Sequence, residues 1–365
     1  MLNVFSNTKT LVIASLLAAS SVFAQQDKNC RTQKMPEPMP APMIAAYNAP
    51  SRVDVRGSWD FYLEGSFIYW LPTQDNMEFA DSSSSATPFG GTTAAPVSNS
   101  IVRLLPNYKP GFQVLGGMTF DYDNWDSYVQ YTWFHNTNTS SATALSGGGL
   151  FPTFGFPAVD DVDEDYASAS ASWNLKMDLA DWVLSRPYYM SPRMTCRPMI
   201  GIRAAWIRQN YNLNYVRTAS TANTLAVNNK STSWGLGPQV GMTSNYMFGY
   251  GLRIFGDVNA DVIYTRYSTS TASTDTDGSV ENSVKEHGIN TIRPHANIDL
   301  GFAWAPYFDD NNWHVDLMAS YGFQVFWSQN MFRQFSTGTG FPGDTFFNNG
   351  NLYIQGLNLT ARFDF

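Results

Sequence analysis

Charge is scarce in this chain of 365 residues: Asp, Glu, Lys and Arg together make up 14% of it, where a water-facing domain carries about 25%. A soluble globule of this length is therefore a poor fit. Long apolar runs are missing as well. Beyond the first two dozen residues nothing approaches the roughly 18 unbroken apolar residues of a membrane-spanning helix, and the mean hydropathy of -0.24 is too polar for a helical membrane protein. A basic surplus is also absent: 22 Lys and Arg stand against 30 Asp and Glu, for a net charge of -8, which excludes nucleic acid as a partner. With 2 cysteines there is no dense disulfide framework, and the 4 histidines, His135, His287, His295 and His314, show no metal-ligand spacing. No GxSxG elbow or glycine-rich phosphate loop occurs. A loop-borne triad would escape such a motif search, but nothing in the chain points to catalysis or to a cofactor, and the expectation is a protein that is not an enzyme.

What the chain has is aromatic residues, at 15%, within a hydrophobic share of 44%. Strands with one face in lipid reconcile these figures, because every second residue is apolar while the average stays polar. The N-terminus fits export. Lys9, an apolar stretch over 11–19 and Ser-Ser-Val-Phe-Ala ending at Ala24 read as a signal peptide over 1–24 for the Sec pathway. Cys30 follows Gln-Gln-Asp-Lys-Asn rather than an apolar run, so it is not read as lipidated. Within 25–57, the segment MPEPMPAPMIAAYNAP (35–50) is too rich in proline for sheet or helix and reads as an extended periplasmic tether. The folded part is expected over 58–365.

There a period of two dominates and yields ten segments. Trp59, Phe61, Leu63, Phe67, Tyr69 and Leu71 alternate with Asp60, Glu64 and Ser66; Phe112 to Phe120 and Trp125 to Trp133 form a hairpin about Asp123-Asn124. Ala167 to Leu175, with Trp173, gives the weakest apolar face. In the fifth segment Cys196, Pro198, Ile200, Ile202, Ala204 and Trp206 oppose Arg197 and Arg203. An arginine facing lipid at mid-bilayer costs about 2 to 4 kcal/mol, so the arginine face must look inward. Exchanging Arg203 for Glu is thus expected to act on the ion field and exchanging Ile202 for Arg on stability. Beyond Trp206 the apolar phase slips to Tyr211, Leu213 and Tyr215, which implies a bulge or a strand running past the membrane rim. The remaining segments begin near Trp234, Leu252, Ala296, Trp313 and Tyr353, and their inner register carries Arg253, Asp257, Asp261, Arg293, Asp299 and Asp316.

Connections alternate long and short, as outer-membrane barrels require, and place five long loops outside with both termini in the periplasm. Aromatic residues gather at segment ends, among them Trp59, Trp70, Tyr122, Trp206, Trp234, Tyr264, Trp304 and Trp313. The expected fold is all-β: a transmembrane antiparallel barrel with an even number of strands, ten to twelve, the two extra strands arising if 97–105 joins with a partner. A soluble sandwich is the alternative, but these segments are longer than sandwich strands usually are. The lumen would carry Arg197, Arg203, Arg253 and Arg293 against Asp257, Asp261, Asp299 and Asp316, a balance that does not decide ion preference and that could equally plug the pore with salt bridges.

WDFYLEGSFIYWLP (59–72), NYKPGFQVLGG (107–117), RPMIGIRAAWIRQNY (197–211), SWGLGPQVGM (233–242) and a last strand ending on Phe resemble the pore-forming major outer membrane protein family of Legionella and chlamydia-related bacteria, over about 51–365. The resemblance implies an abundant outer-membrane porin passing small solutes, with no catalytic residues. Chlamydial relatives are cysteine-rich and disulfide-linked; this chain departs from them with two cysteines. The function expected is a passive diffusion channel; the alternative is a closed barrel acting as a structural or adhesive surface protein through its loops. Partners expected are outer-membrane lipid and lipopolysaccharide, the barrel-insertion machinery reading Phe363 and Phe365, and envelope neighbours as homo-oligomer or disulfide-linked copies. Cys30 and Cys196 lie on the periplasmic side and could pair within or between chains, or Cys196 could be a small lipid-facing residue. The acidic run Asp160, Asp161, Asp163, Glu164 and Asp165 is a solvated loop or, on the sharper reading, a Ca²⁺ or Mg²⁺ site.

Overall fold

A computed structural model describes residues 51–53, 55, 60–84, 99–120, 123–155, 165–218, 224–274, 280–335, 345–347 and 349–365. Ten long strands alternate along the chain: β1 (Phe61–Gln74), β2 (Lys109–Thr119), β3 (Asp126–Thr143), β4 (Tyr166–Ser185), β5 (Met194–Arg217), β6 (Thr224–Gly249), β7 (Leu252–Thr274), β8 (Val280–Trp304), β9 (Trp313–Phe326) and β10 (Leu352–Asp364). Each pairs antiparallel with the next, and β1 pairs with β10 from Tyr62 opposite Asp364 to Gln74 opposite Leu352, closing a ring of ten. Closure removes every exposed edge, the condition for strands to stand in hydrocarbon. The segment Asn99–Arg103 does form a strand, but it pairs with Glu78–Ser83, which pairs in turn with Gly149–Pro152, outside the ring. The barrel therefore has ten strands rather than twelve.

Alternation puts apolar side chains outside. Phe61, Leu63, Phe67 and Tyr69 of β1 are exposed while Tyr62, Ile68 and Trp70 between them are buried. The same holds for Ile200 and Ile202 around Gly201, for Leu236 and Val240 on β6, and for Ile298, Leu300 and Phe302 on β8. Trp70 consequently departs from the expected aromatic girdle: it shares the inward parity and donates Nε1–H to Asn358 Oδ1 at 2.7 Å. Trp206, Trp234, Tyr264, Trp304 and Trp313 keep outward positions, whereas Trp59 and Tyr122 lie outside the described residues.

One end carries the short connections. Asp123 and Asn124 turn the β2–β3 hairpin at φ of 61° and 55°, left-handed conformations that Asp and Asn tolerate. The chain enters and leaves at this end, where Ser51 N donates to Pro187 O at 3.2 Å and Phe365 N to Phe61 O at 3.0 Å. The expected tether and signal peptide lie almost wholly outside the described residues.

Toward the other end the strands run on past the apolar band and invert. β5 pairs with β6 without a register shift, so the phase slip after Trp206 is a continuing strand and not a bulge. Ile207, Tyr211, Leu213 and Tyr215 face inward, and the outward positions become Arg208, Asn210, Asn212 and Asn214. The fourth segment is corrected in the same way: Trp173 and Leu175 are 1% and 0% exposed inside the barrel, and the lipid-facing part of β4 lies later, at Ala180 and Trp182. Above the membrane the solvent is water on the outside, so the apolar residues turn in. They pack on segments folded into the mouth, with Tyr211 and Tyr215 hydroxyls donating to Met77 O at 3.1 Å and Phe79 O at 2.5 Å. Phe332 stacks on Tyr211, and Phe154 meets the same ring edge-on.

Candidate functional site: the charged lumen

Below that apolar tier the inward register builds a polar interior. A cavity of about 280 Å³ is lined by carboxylates Glu64, Asp181, Asp257, Asp299 and Asp316 and guanidiniums Arg197, Arg203, Arg253 and Arg362. All eight residues expected in the lumen point inward. Arg293 stands apart from this cavity, up at the apolar tier, with its guanidinium 5.6 Å from the Tyr267 ring centroid and Nη2 3.2 Å from Met331 Sδ.

Near the short-connection end, Arg197 Nη2 donates to Asp126 Oδ2 at 2.6 Å and Nε to Ser185 Oγ at 2.8 Å, while the Tyr62 hydroxyl donates to Asp126 Oδ1 at 2.5 Å. Arg362 lies 3.7 Å over the Tyr62 ring and holds Asp364, which also accepts from His314. Arg253 pairs with Asp316 and donates to Asn245 Oδ1 at 3.0 Å.

At mid-barrel Arg203 forms a bidentate fork with Asp181, at 2.6 and 3.0 Å, and reaches Asp261 Oδ2 at 2.8 Å. Asp261 accepts from His295 Nδ1 at 2.7 Å, and His295 Nε2 stands 3.4 Å from Gln324 Oε1. These residues sit on β4, β5, β7, β8 and β9. In a ring of ten, β4 and β9 are opposite walls, so the network spans the lumen.

A third group has no guanidinium partner among the described residues. Asp257 and Asp299 face each other across β7 and β8. Thr243 Oγ1 donates to Asp257 at 2.6 Å and Asn259 Nδ2 donates to it as well; Asn358 Nδ2 donates to Asp299 at 2.7 Å. Glycines opposite make the room: a Cβ on Gly322 would stand 2.2 Å from Asp299 Oδ1, and one on Gly241 1.9 Å from Asn259 Oδ1. Glu64 likewise lines the cavity and, although Arg362 is its cross-strand partner, forms no ion pair among the described residues. Each arginine of the cavity wall is thus matched by a carboxylate, and three carboxylates are left over.

Glu64, Asp126, Asp181, Arg362 and Asp364 were missed as site residues. Parity alone marks them, since each is the inward neighbour of an apolar outward residue. Phe363 and Phe365 take the outward register expected of them, 51% and 45% exposed. Cys196 does not face lipid: it is 3% exposed, covered where Tyr188–Ser191 folds back to pair with β5, and it forms no disulfide with a described residue. Cys30 and Asp160, Asp161, Asp163 and Glu164 lie outside the described residues; Asp165 is described, next to Gly149. Among the described residues no group of three or more potential ligands suits a metal ion.

The sequence pattern of the Legionella pneumophila major outer membrane protein precursor matches residues 53–365. The chain belongs to that family. It is an outer-membrane β-barrel, as the family and the closed ring of strands agree. No curated protein matches it. Among solved structures it is similar to the Escherichia coli outer membrane protease OmpT, at 8% identity over 85% of this chain and 97% of that one with a TM-score of 0.34. It is also similar to a Pseudomonas aeruginosa FadL homologue, at 7% identity over 84% and 90% with a TM-score of 0.26. The Pseudomonas putida toluene transporter TodX matches at 9% identity over 84% and 89%, with a TM-score of 0.25.

Proposed function

We propose that this family member is a porin, a passive path for small solutes that favours cations and performs no catalysis. The observation that carries the reading is the cavity wall, where every arginine is held in an ion pair while Glu64, Asp257 and Asp299 form none among the described residues. Fixed charges at close quarters set the field a permeating ion meets. In this reading the long connections are external and the short ones periplasmic, the usual disposition of outer-membrane barrels. Proteoliposome swelling tests it: small neutral sugars and cationic amino acids should enter faster than anionic amino acids of the same size. Equal exclusion of all three would sink it.

The apolar tier around Trp173, Tyr211 and Tyr215 favours a second reading, in which the barrel is closed and its surface connections do the work, since barrels of about eight strands are filled by side chains. Exclusion of every solute in the swelling assay is the result that reading expects.

Assembly offers a separate check. With Phe363 and Phe365 on the lipid face, deletion of Phe365 should lower the outer-membrane level and leave precursor in the periplasm, read by fractionation and immunoblot. An unchanged membrane level would remove the terminal Phe from the insertion signal.

A further inference from the structure

On strands β4 to β7 the described outward positions are charged toward one end only. On β4 to β7, above the girdle of Trp206, Trp234 and Tyr264, the outward positions hold Lys176, Arg208, Lys230 and Arg266, all exposed. The acid among these outward positions is Asp178, already engaged by the Tyr131 hydroxyl at 2.8 Å and by His135 at 3.2 Å. Such a surplus runs against the chain's net charge of -8. At the short-connection end of the same strands the outward residues are Ile200, Met242, Tyr246 and Ile254, and Arg197 and Arg253 point inward.

Register groups the cations. Lys176 is the direct cross-strand partner of Arg208, a pairing that sets like charges side by side, which is unfavourable without a shared anion. Arg208 lies opposite Thr232, and Arg266 opposite Trp234, one outward position along β6. Arg266 lies over the bare backbone of Gly288, where a Cβ would stand 3.6 Å from Nη2. None of the four cations bonds to another described side chain, so their donors are free for a ligand.

We infer that this patch docks the phosphorylated headgroup of an outer-leaflet glycolipid. Lys176, Arg208 and Arg266 would take the phosphates, and Trp206 and Trp234 the boundary of its acyl chains. Charge complementarity carries the assignment. Arginine and lysine are the phosphate-binding side chains, and they stand one row above aromatics that mark the membrane interface. At the opposite rim the cations stand in the turns rather than on the outward wall: Arg186 is paired with Asp123 at 2.6 Å, and Arg193 lies in the turn before β5. The inference shares the orientation given under Proposed function but does not need conduction, so a silent channel leaves it standing.

The test uses the purified full chain in detergent micelles, with diphosphoryl lipid A, the same lipid dephosphorylated, and inorganic phosphate as probes, and native mass spectrometry as the readout. The wild type should retain diphosphoryl lipid A at least about tenfold better than the dephosphorylated form. That retention should fall by a similar factor in Lys176→Gln/Arg208→Gln/Arg266→Gln and survive in Lys176→Arg/Arg208→Lys/Arg266→Lys. Should the glutamine variant fail to fold, the single exposed change Arg208→Gln is scored for the same loss. Equal retention of both lipids, equal retention by wild type and glutamine variants, or competition by inorganic phosphate at lipid-equivalent concentration would each overturn the assignment, the last by pointing to a free-anion site.

Discussion

Arg203→Glu should destabilise the barrel by about 3 to 5 kcal/mol, the cost of breaking a buried ion pair by removing one partner. This differs from the expectation raised by alternation alone, in which Arg203 is a lumen charge whose reversal changes only the ion field. The difference lies in what surrounds it. Its side chain is 10% exposed, those of Asp181 and Asp261 are 6% and 0% exposed, and Asp261 Oδ1 already lacks a hydrogen-bond partner. A glutamate there would stand among two carboxylates with no cation to hold them. The measurement is the midpoint of heat-modified mobility on gels, or of urea unfolding from micelles. Arg203→Gln combined with Asp181→Asn and Asp261→Asn should recover much of the loss, because no charge is then left buried alone. A single variant with the wild-type midpoint would contradict the network.

The neighbouring residue fails for the opposite reason. Ile202 faces outward, 43% exposed, between the membrane rims. Ile202→Arg should cost about 2 to 4 kcal/mol in a bilayer. Its cost should shrink in detergent micelles, where the guanidinium can reach water, whereas the cost at Arg203 should persist in both media because it arises inside. Comparing the two variants in vesicles and in micelles reads the strand phase directly. If Ile202→Arg were tolerated in vesicles while Arg203→Leu were also neutral, the register of β5 would be shifted by one.

Why some of this was legible in the sequence and some was not follows from where each strand stands relative to lipid. Within the hydrocarbon the solvent on the outer face is fixed, so apolar parity and inward charge are forced, and β1, β2, β5, β7, β8 and β10 read correctly from Phe61 to Phe365. Above the membrane the outer solvent changes while the backbone phase does not. Trp173 and Tyr211 are as apolar as Trp182 or Ile202, and period two cannot say which side of the wall is dry. Alternation therefore assigns the inverted tier of β4 to the wrong face and does not separate a bulge from a continuing strand on β5. Polar residues at alternate outward positions, Arg208, Asn210, Asn212 and Asn214, were the available signal. The lumen was legible one residue at a time, since all eight charged residues singled out do point inward. Its pairing was not, because Arg203 on β5 reaches Asp261 on β7 across the intervening strand β6, and alternation along a single strand carries no information about that contact. The imbalance of charge depended on that pairing, on Glu64, and on Arg362 and Asp364 in a last strand whose apolar face alone had been read.

The account stands most directly on ion current through single barrels. Purified protein in a planar bilayer, held across a potassium chloride gradient, should carry current with a reversal potential on the cation-selective side. The double variant Asp257→Asn/Asp299→Asn, which removes two of the three wall carboxylates held in no ion pair among the described residues, should move that potential toward zero while retaining conductance. A wild type that inserts, folds and stays silent, or one whose current is anion-selective and indifferent to the double variant, would contradict it.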